Sequence, residues 1–181
     1  RGVMGIDSHG IDPVEYLLEN RWLPPDLASN FETLANALLD AMEDCWERAG
    51  DVHGLRIHGD VHPGNILWRE GQAFFVDLDD TLTGPAVQDF WMLAGRREDS
   101  AEPLRWLLEG YEQFRRFDRR ELHLIEPLRT LRLLHYNAWI ARRWGDPAFP
   151  IAFPWFEGAA YWQQQAQQLR EQVDSMREAG R

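Results

Sequence analysis

The sequence contains no lysine, because all 19 of its basic residues are arginine. It also contains neither a G-x-G-x-x-G run nor a P-loop, the glycine-rich patterns that cradle phosphate groups. A glycine-rich phosphate cover and a lysine that holds nucleotide phosphates therefore cannot come from these residues. Any phosphate group that binds to this chain must be held by other side chains, or by segments outside it.

Cysteine is nearly absent, since Cys45 is the one cysteine in 181 residues. A single cysteine excludes an internal disulfide framework and fits a reducing compartment. No apolar run reaches the length of a membrane span, and no signal peptide is visible. We therefore expect a cytoplasmic protein that makes no contact with a membrane.

Positive charge is scarce relative to negative charge, and the formal net charge is −11. This balance argues against non-specific binding of nucleic acid or of an anionic membrane surface. The hydrophobic fraction of 44% and the 9 tryptophans indicate a globular chain with a substantial core. We expect one domain or one large lobe, present as a monomer.

Three short strands surround the most informative stretch of the chain. Apolar and β-branched residues predict strands over 55–58, 66–68 and 73–76, with a loop rich in glycine and proline after the first and a Glu-Gly turn signal before the third.

The remaining segments predict helices, among them one over 85–94 and one whose apolar face includes Phe114. A capping box at Ser29 and Glu32 predicts the start of a long helix with an apolar stripe of Phe31, Leu34, Leu38, Met42 and Trp46. The stretch 145–157, with three prolines, predicts an ordered loop.

Three oxygen-bearing side chains accompany the three strands: Asp60 and Asn65 lie in the loop after the first strand, and Asp77 follows the third strand. The spacing of these side chains suits phosphoryl transfer. Asp60 and Asn65 have the D-x-x-x-x-N spacing of a kinase catalytic loop. Phosphoryl transfer needs a carboxylate to orient and deprotonate the attacking hydroxyl, and hard oxygen ligands for Mg²⁺. Asp60 suits the first role, and Asn65 and Asp77 suit the second.

The run His-Gly-Asp-x-His-x-Gly-Asn-Ile-Leu, followed by an apolar strand and Asp77, resembles the aminoglycoside phosphotransferase and choline kinase group of the kinase-like fold. The resemblance implies ATP as a substrate and Mg²⁺ as a cofactor. It also implies that Asp89 holds the backbone of the catalytic loop, and we assign His58 to the same supporting role. His62 and Asp79 are possible additional site residues.

Two further segments, 84–93 and 142–150, resemble a bacterial protein-kinase branch of that fold. The similarity runs from about Asp12 to about Met176 and covers only the family's C-terminal lobe. It implies an α+β fold, mostly helical, with a small catalytic β-hairpin region. We therefore expect a linker or exposed end at 1–11 and a kinase-like C-lobe at 12–179, with its catalytic segment at 55–95. The N-terminal lobe would be missing, and the fragment alone would be inactive.

Several other interpretations use the same residues. His58 and His62 have the spacing of zinc ligands on a helix, but glycine and proline between and beside them disfavour a helix. The run after the third strand also resembles the nucleophile motif of haloacid-dehalogenase-type phosphatases, with Asp77 as nucleophile and Asp79 as acid/base. The acids could also be simple turn residues. The acceptor is expected to be a protein Ser or Thr, with a small-molecule kinase or a non-catalytic binding module as alternatives.

Overall fold

The computed structural model of the protein describes residues 2–179. Within this range, seven α-helices and four strands follow one another. The strands are β1 (Leu55–Ile57), β2 (Ile66–Arg69), β3 (Gln72–Phe75) and β4 (Leu82–Gly84). The helices are α1 (Asp12–Glu19), α2 (Pro25–Ala49), α3 (Gln88–Trp91), α4 (Ala101–Tyr111), α5 (Ile125–Arg142), α6 (Ala148–Ala152) and α7 (Ala159–Glu178). The α+β, mostly helical architecture expected from the sequence is confirmed.

The chain divides into two compact units. The first unit comprises residues 2–4 and Ala49–Ile125, and the second comprises Gly5–Arg48 and residues 126–179. All four strands lie in the first unit, whereas α1, α2, α5, α6 and α7 build the second.

Two antiparallel strand pairs form the β structure of the first unit. β2 and β3 make a hairpin in which Ile66 pairs with Phe75 and Arg69 pairs with Gln72. β1 pairs with β4, a strand that sequence patterning missed because only three residues form it. Val3 adds an isolated bridge to Thr83 of β4. The helix predicted over 85–94 is only one turn, α3, continued by turns on both sides.

Part of the stretch 1–11, for which the sequence predicts a linker or exposed end, has regular structure. Asp7–Ile11 forms a π-helical turn that leads directly into α1. Gly10 is buried there, and a Cβ at this position would lie 3.0 Å from a methyl carbon of Leu131. The first residue of the predicted linker, Arg1, lies outside the described residues.

α2 provides much of the core of the second unit. It begins at Pro25, before the predicted capping box at Ser29 and Glu32, because proline is well suited to the first turn of a helix. Ser29 is consequently an interior residue. The buried face of α2 agrees in part with the predicted apolar stripe. Phe31, Leu38 and Met42 are buried, whereas Leu34 and Trp46 are half-buried. The buried face is completed by Ala35, Ala41 and Cys45.

Two smaller differences from the sequence predictions concern the segment after α5 and the end of α4. The loop expected over 145–157 contains the short helix α6. Phe114, predicted for the apolar face of α4, lies beyond the end of that helix and is 92% exposed. No helix within residues 2–179 is long and apolar enough to cross a membrane.

Candidate active site

The loop between β1 and β2 is fastened to the end of β3 by His58. The backbone N–H of Asp60 donates to Nδ1 of His58 over 3.4 Å, so the neutral ring carries its proton on Nε2. That nitrogen lies 2.9 Å from the carbonyl oxygen of Val76, to which it donates. His58 therefore joins the start of the loop to the residue that precedes Asp77.

Asp89, in α3, binds the same loop through its carboxylate. Oδ2 accepts the N–H of His58 and Oδ1 accepts the N–H of Gly59, each over 2.9 Å. This is the contact that the family resemblance implies for Asp89. Burial raises the pKa of the Asp89 carboxyl, and the two backbone N–H groups partly offset that increase.

Gly59 occupies a position that excludes every other residue type. Its φ of +89° lies in the left-handed region. A Cβ at this position would lie 2.6 Å from the carbonyl oxygen of Asp80 and 2.6 Å from a methyl carbon of Leu82. The loop can therefore approach the segment before β4 closely only because residue 59 has no side chain.

Gln88 is a supporting residue that sequence reasoning missed. Its side chain is 2% exposed, and its amide nitrogen donates to the carbonyl of Gly59 over 2.8 Å. Trp91 fixes the orientation of this amide by donating from Nε1 to Gln88 Oε1 over 2.9 Å. The only sequence signal was a polar residue beside Asp89 at the start of a helix. That signal does not reveal burial.

Asn65 is held against Asp60 with a defined amide orientation. Its Nδ2 donates to the carbonyl oxygen of Asp60 over 3.0 Å and approaches Oδ2 of the Asp60 carboxylate at 3.4 Å. Both partners are acceptors, so the nitrogen must face them, and Oδ1 is left as a possible ligand for a cation. The side chain of Asn65 is 9% exposed.

Asp77 lies at the same end of the hairpin as Asn65. The N–H of Val76 donates to the carbonyl of Asn65 over 3.0 Å, which extends the pairing of β2 and β3 by one bond. Asp77 follows immediately, with a φ of +61° that aspartate tolerates better than most residues. Its side chain is exposed and makes no hydrogen bond or ion pair with the described residues. The predicted Mg²⁺ ligands are therefore neighbours at one edge of the site.

The remaining predicted residues differ in their placement. His62 accepts the N–H of Gly64 at Nδ1 over 3.0 Å, and its Nε2 lies 3.6 Å from Oδ2 of Asp60. Asp79 is exposed in the turn before β4. The zinc interpretation fails, because both ring nitrogens of His58 are already hydrogen-bonded and no helix joins the two histidines.

The donor set fits a magnesium ion better than a transition metal. Among residues 2–179, no three His, Cys, Asp or Glu side chains cluster as a metal-binding group. Mg²⁺ does not need such a cluster, since one or two carboxylates commonly bind it together with water and substrate phosphates. Asp77 and the amide oxygen of Asn65 match that incomplete set.

Beside these polar groups, the hairpin exposes large apolar side chains. Trp68 is 73% exposed, and Leu67, Phe74, Phe75 and Leu78 are each between 46% and 57% exposed. Burying such side chains is favourable at about 25 cal/mol per Å² of apolar surface, so an uncovered set of this size is a candidate contact surface.

Comparison with known proteins assigns the chain to a family. Residues 1–125 match the model of the phosphotransferase enzyme family. The chain is 43% identical to stress response kinase A of Escherichia coli K12 over 179 residues, and 43% identical to stress response kinase A of Salmonella paratyphi A over 176 residues. It is also 43% identical over 176 residues to a Salmonella typhimurium protein named serine/threonine protein kinase RdoA.

These alignments cover 97% to 98% of this chain but only 53% to 54% of each relative. The chain thus spans about half the length of the curated relatives it matches. The resemblances expected from the loop motif and from segments 84–93 and 142–150 are confirmed. Both the extent of the family match and the identity to these relatives lead to one conclusion: the chain belongs to the phosphotransferase enzyme family.

Proposed function

We propose that the protein containing this chain transfers the γ-phosphoryl group of ATP to a Ser or Thr hydroxyl of a protein, with Mg²⁺. The observation that carries this proposal is the arrangement of Asp60, Asn65 and Asp77 around the end of one hairpin. Phosphoryl transfer depends mainly on positioning and on stabilisation of charge, for which a carboxylate base and two oxygen ligands suffice on this side of the nucleotide.

In this proposal each residue has a distinct task. Asp60 accepts a hydrogen bond from the acceptor hydroxyl and takes its proton as the oxygen attacks phosphorus. Asn65 and Asp77 would hold Mg²⁺, which neutralises charge on the phosphate oxygens when bound. His58, Gln88 and Asp89 keep the loop backbone in place, so that the carboxylate of Asp60 is aimed before the substrate arrives.

The nucleotide cover would come from a further segment of the full-length protein. This chain has no lysine and no glycine-rich phosphate loop, and its relatives are about twice as long as the aligned region. The exposed apolar side chains of β2 and β3 suit contact with the flat ring of a nucleotide base and with such a segment. In the proposal this chain is the C-terminal lobe and is inactive alone.

The choice of a protein acceptor has separate support. One relative carries the name serine/threonine protein kinase. In the second unit, Tyr136 and Trp155 are 39% and 42% exposed, and Arg143 lies 4.6 Å over the ring of Trp139. Exposed aromatic and arginine side chains are typical of peptide-contacting surfaces. Trp162 is excluded from such a role because it is 1% exposed.

The test uses full-length protein with γ-labelled ATP, a generic protein acceptor, and a panel of aminoglycosides, choline and homoserine. The proposal predicts label on Ser or Thr of the protein acceptor, or on the enzyme itself. Label found only in a small molecule would replace the protein acceptor with the small-molecule alternative. No label in any acceptor would favour a non-catalytic binding module.

A further inference from the structure

His62 caps the turn that carries Asn65. The Pro63–Asn65 segment is a 3₁₀ turn, and the imidazole Nδ1 accepts the N–H of Gly64 over 3.0 Å. An N–H group can only donate, so Nδ1 of the neutral ring is unprotonated and Nε2 carries the proton. The turn thus selects one tautomer of His62.

Gly64 is shaped to receive this ring. A Cβ at residue 64 would lie 2.7 Å from Cε1 and 3.0 Å from Nδ1 of His62. Carbon atoms do not approach so closely without a shift, so any larger residue at position 64 would displace the imidazole. The ring therefore occupies space that is open only because residue 64 has no side chain, and the N–H of Gly64 holds it there.

The protonated nitrogen of His62 faces the proposed base. Nε2 lies 3.6 Å from Oδ2 of Asp60, the oxygen that Nδ2 of Asn65 also approaches at 3.4 Å. At 3.6 Å this contact is longer than a hydrogen bond. Hydrogen bonds in catalytic sites are often long without substrate and shorten in the reactive complex. With 38% of the His62 side chain exposed, a small rotation of the ring can close the gap.

Capping alone does not require histidine at this position. Ser, Thr, Asn and Asp are the usual N-cap residues, and each could accept the N–H of Gly64. None of them combines that acceptor with a second, more distant N–H. Aspartate would also add a negative charge beside Asp60. Histidine is the residue that caps the turn and presents a donor to the carboxylate together.

We propose that His62 is a positioning residue that holds Asp60 in its reactive orientation. This inference rests on the proposed function, in which Asp60 is the base. Nε2–H of His62 and Nδ2–H of Asn65 approach the same carboxylate oxygen from two residues of one turn. Together they restrict rotation of the carboxylate and orient it toward the acceptor hydroxyl.

The kinetic test compares His62→Asn with His62→Ala in the full-length protein. Asparagine can still cap the turn but is too short to reach Asp60, so it separates capping from positioning. We expect His62→Asn to keep the wild-type melting temperature and the KM for ATP while kcat falls about tenfold, the effect of one hydrogen bond to a charged group. His62→Ala should show the same loss in kcat and also a lower melting temperature.

A wild-type kcat in His62→Asn, or a loss seen in the KM for ATP instead of kcat, would overturn the inference. A second measurement does not depend on turnover. Long-range ¹H–¹⁵N correlation spectra of the full-length protein should show the Nε2–H tautomer of His62, with an Nε2 resonance that shifts in Asp60→Asn. The Nδ1–H tautomer, or an Nε2 resonance that ignores Asp60→Asn, would contradict the inference even if no kinase activity were found.

Discussion

At the scale of single residues, the site depends on one glycine that brings two segments together. Gly59 combines a left-handed φ with close contacts to Asp80 and Leu82, and both features exclude a side chain. The common kinase triplet has an arginine here, which can hold an activating phosphate. The geometry leaves no room for such a side chain, and we therefore propose that no activating phosphate is held through residue 59.

Gly59→Ala should destabilise the first unit by about 2–4 kcal/mol, because the left-handed strain adds to a clash with backbone. Gly71→Ala is the matched control: its φ is +77°, but a Cβ there would meet nothing within 4 Å. Strain alone should cost about 1 kcal/mol at that position. Chemical denaturation measures both variants, and equal losses would show that the predicted clash is absent.

The proposed metal ligands can be tested by removing one charge at a time. Asp77→Asn should weaken Mg²⁺-dependent ATP binding in the full-length protein about tenfold or more, since a carboxylate is replaced by a dipole. Asp99→Asn removes the same charge from an exposed residue outside the site and should have little effect. Calorimetric titration with and without Mg²⁺ measures the difference. Similar losses in both variants would contradict the assignment of Asp77.

At the scale of elements, one carboxylate connects α3 to the loop that follows β1. In Asp89→Asn one backbone N–H would face an amide N–H₂ in place of an acceptor. An unsatisfied buried donor costs about 1–3 kcal/mol, and the first unit should lose that much stability. Asp99 is exposed and lies between α3 and α4, so Asp99→Asn is the control. Its free energy of unfolding should stay within about 0.5 kcal/mol of the wild-type value. If Asp89→Asn left the free energy of unfolding unchanged, the loop would not depend on this contact.

We expect His135 to make the stability of the second unit depend on pH. Its Nδ1 is buried without a hydrogen-bond partner among the described residues, and its ring lies 4.8 Å from that of His9. Burial lowers the pKa of His135 below its usual 6.5, and Arg142, Arg132 and Arg143 lower it further, while Asp12 opposes them. The imidazole of His135 therefore takes up a proton at a higher pH in the unfolded chain than in the folded chain.

It follows that stability should fall as the pH decreases from about 6.5 through the lowered pKa of His135. We expect His135→Gln to reduce the slope of the unfolding free energy between about pH 8 and about pH 5. His123→Gln alters an exposed histidine and should keep the wild-type slope. A full wild-type slope in His135→Gln would assign the pH dependence to other groups.

At the scale of the whole molecule, sequence patterns predicted the strands and helices that have strong local signals. The loop motif predicted Asp60, Asn65 and Asp77 as candidate site residues, because the proposed chemistry requires both their types and their spacing. Three-residue β4 is too short to show periodicity, and α3 is shorter than the helix predicted over 85–94. The π-helical turn at Asp7–Ile11 has no residues that distinguish it from a linker. Burial of Gln88 depends on distant packing, which local sequence does not encode.

The central claim is that Asp60 is the base of a phosphoryl transfer. The direct measurement is the rate of label transfer from γ-labelled ATP by full-length wild-type protein and by Asp60→Asn, with the exposed Asp80→Asn as control. Placement of a general base accelerates a reaction by about 10²–10⁴-fold. The kcat of Asp60→Asn should therefore fall by about that factor, while its melting temperature stays unchanged. Near wild-type turnover in Asp60→Asn would show that Asp60 is not the base.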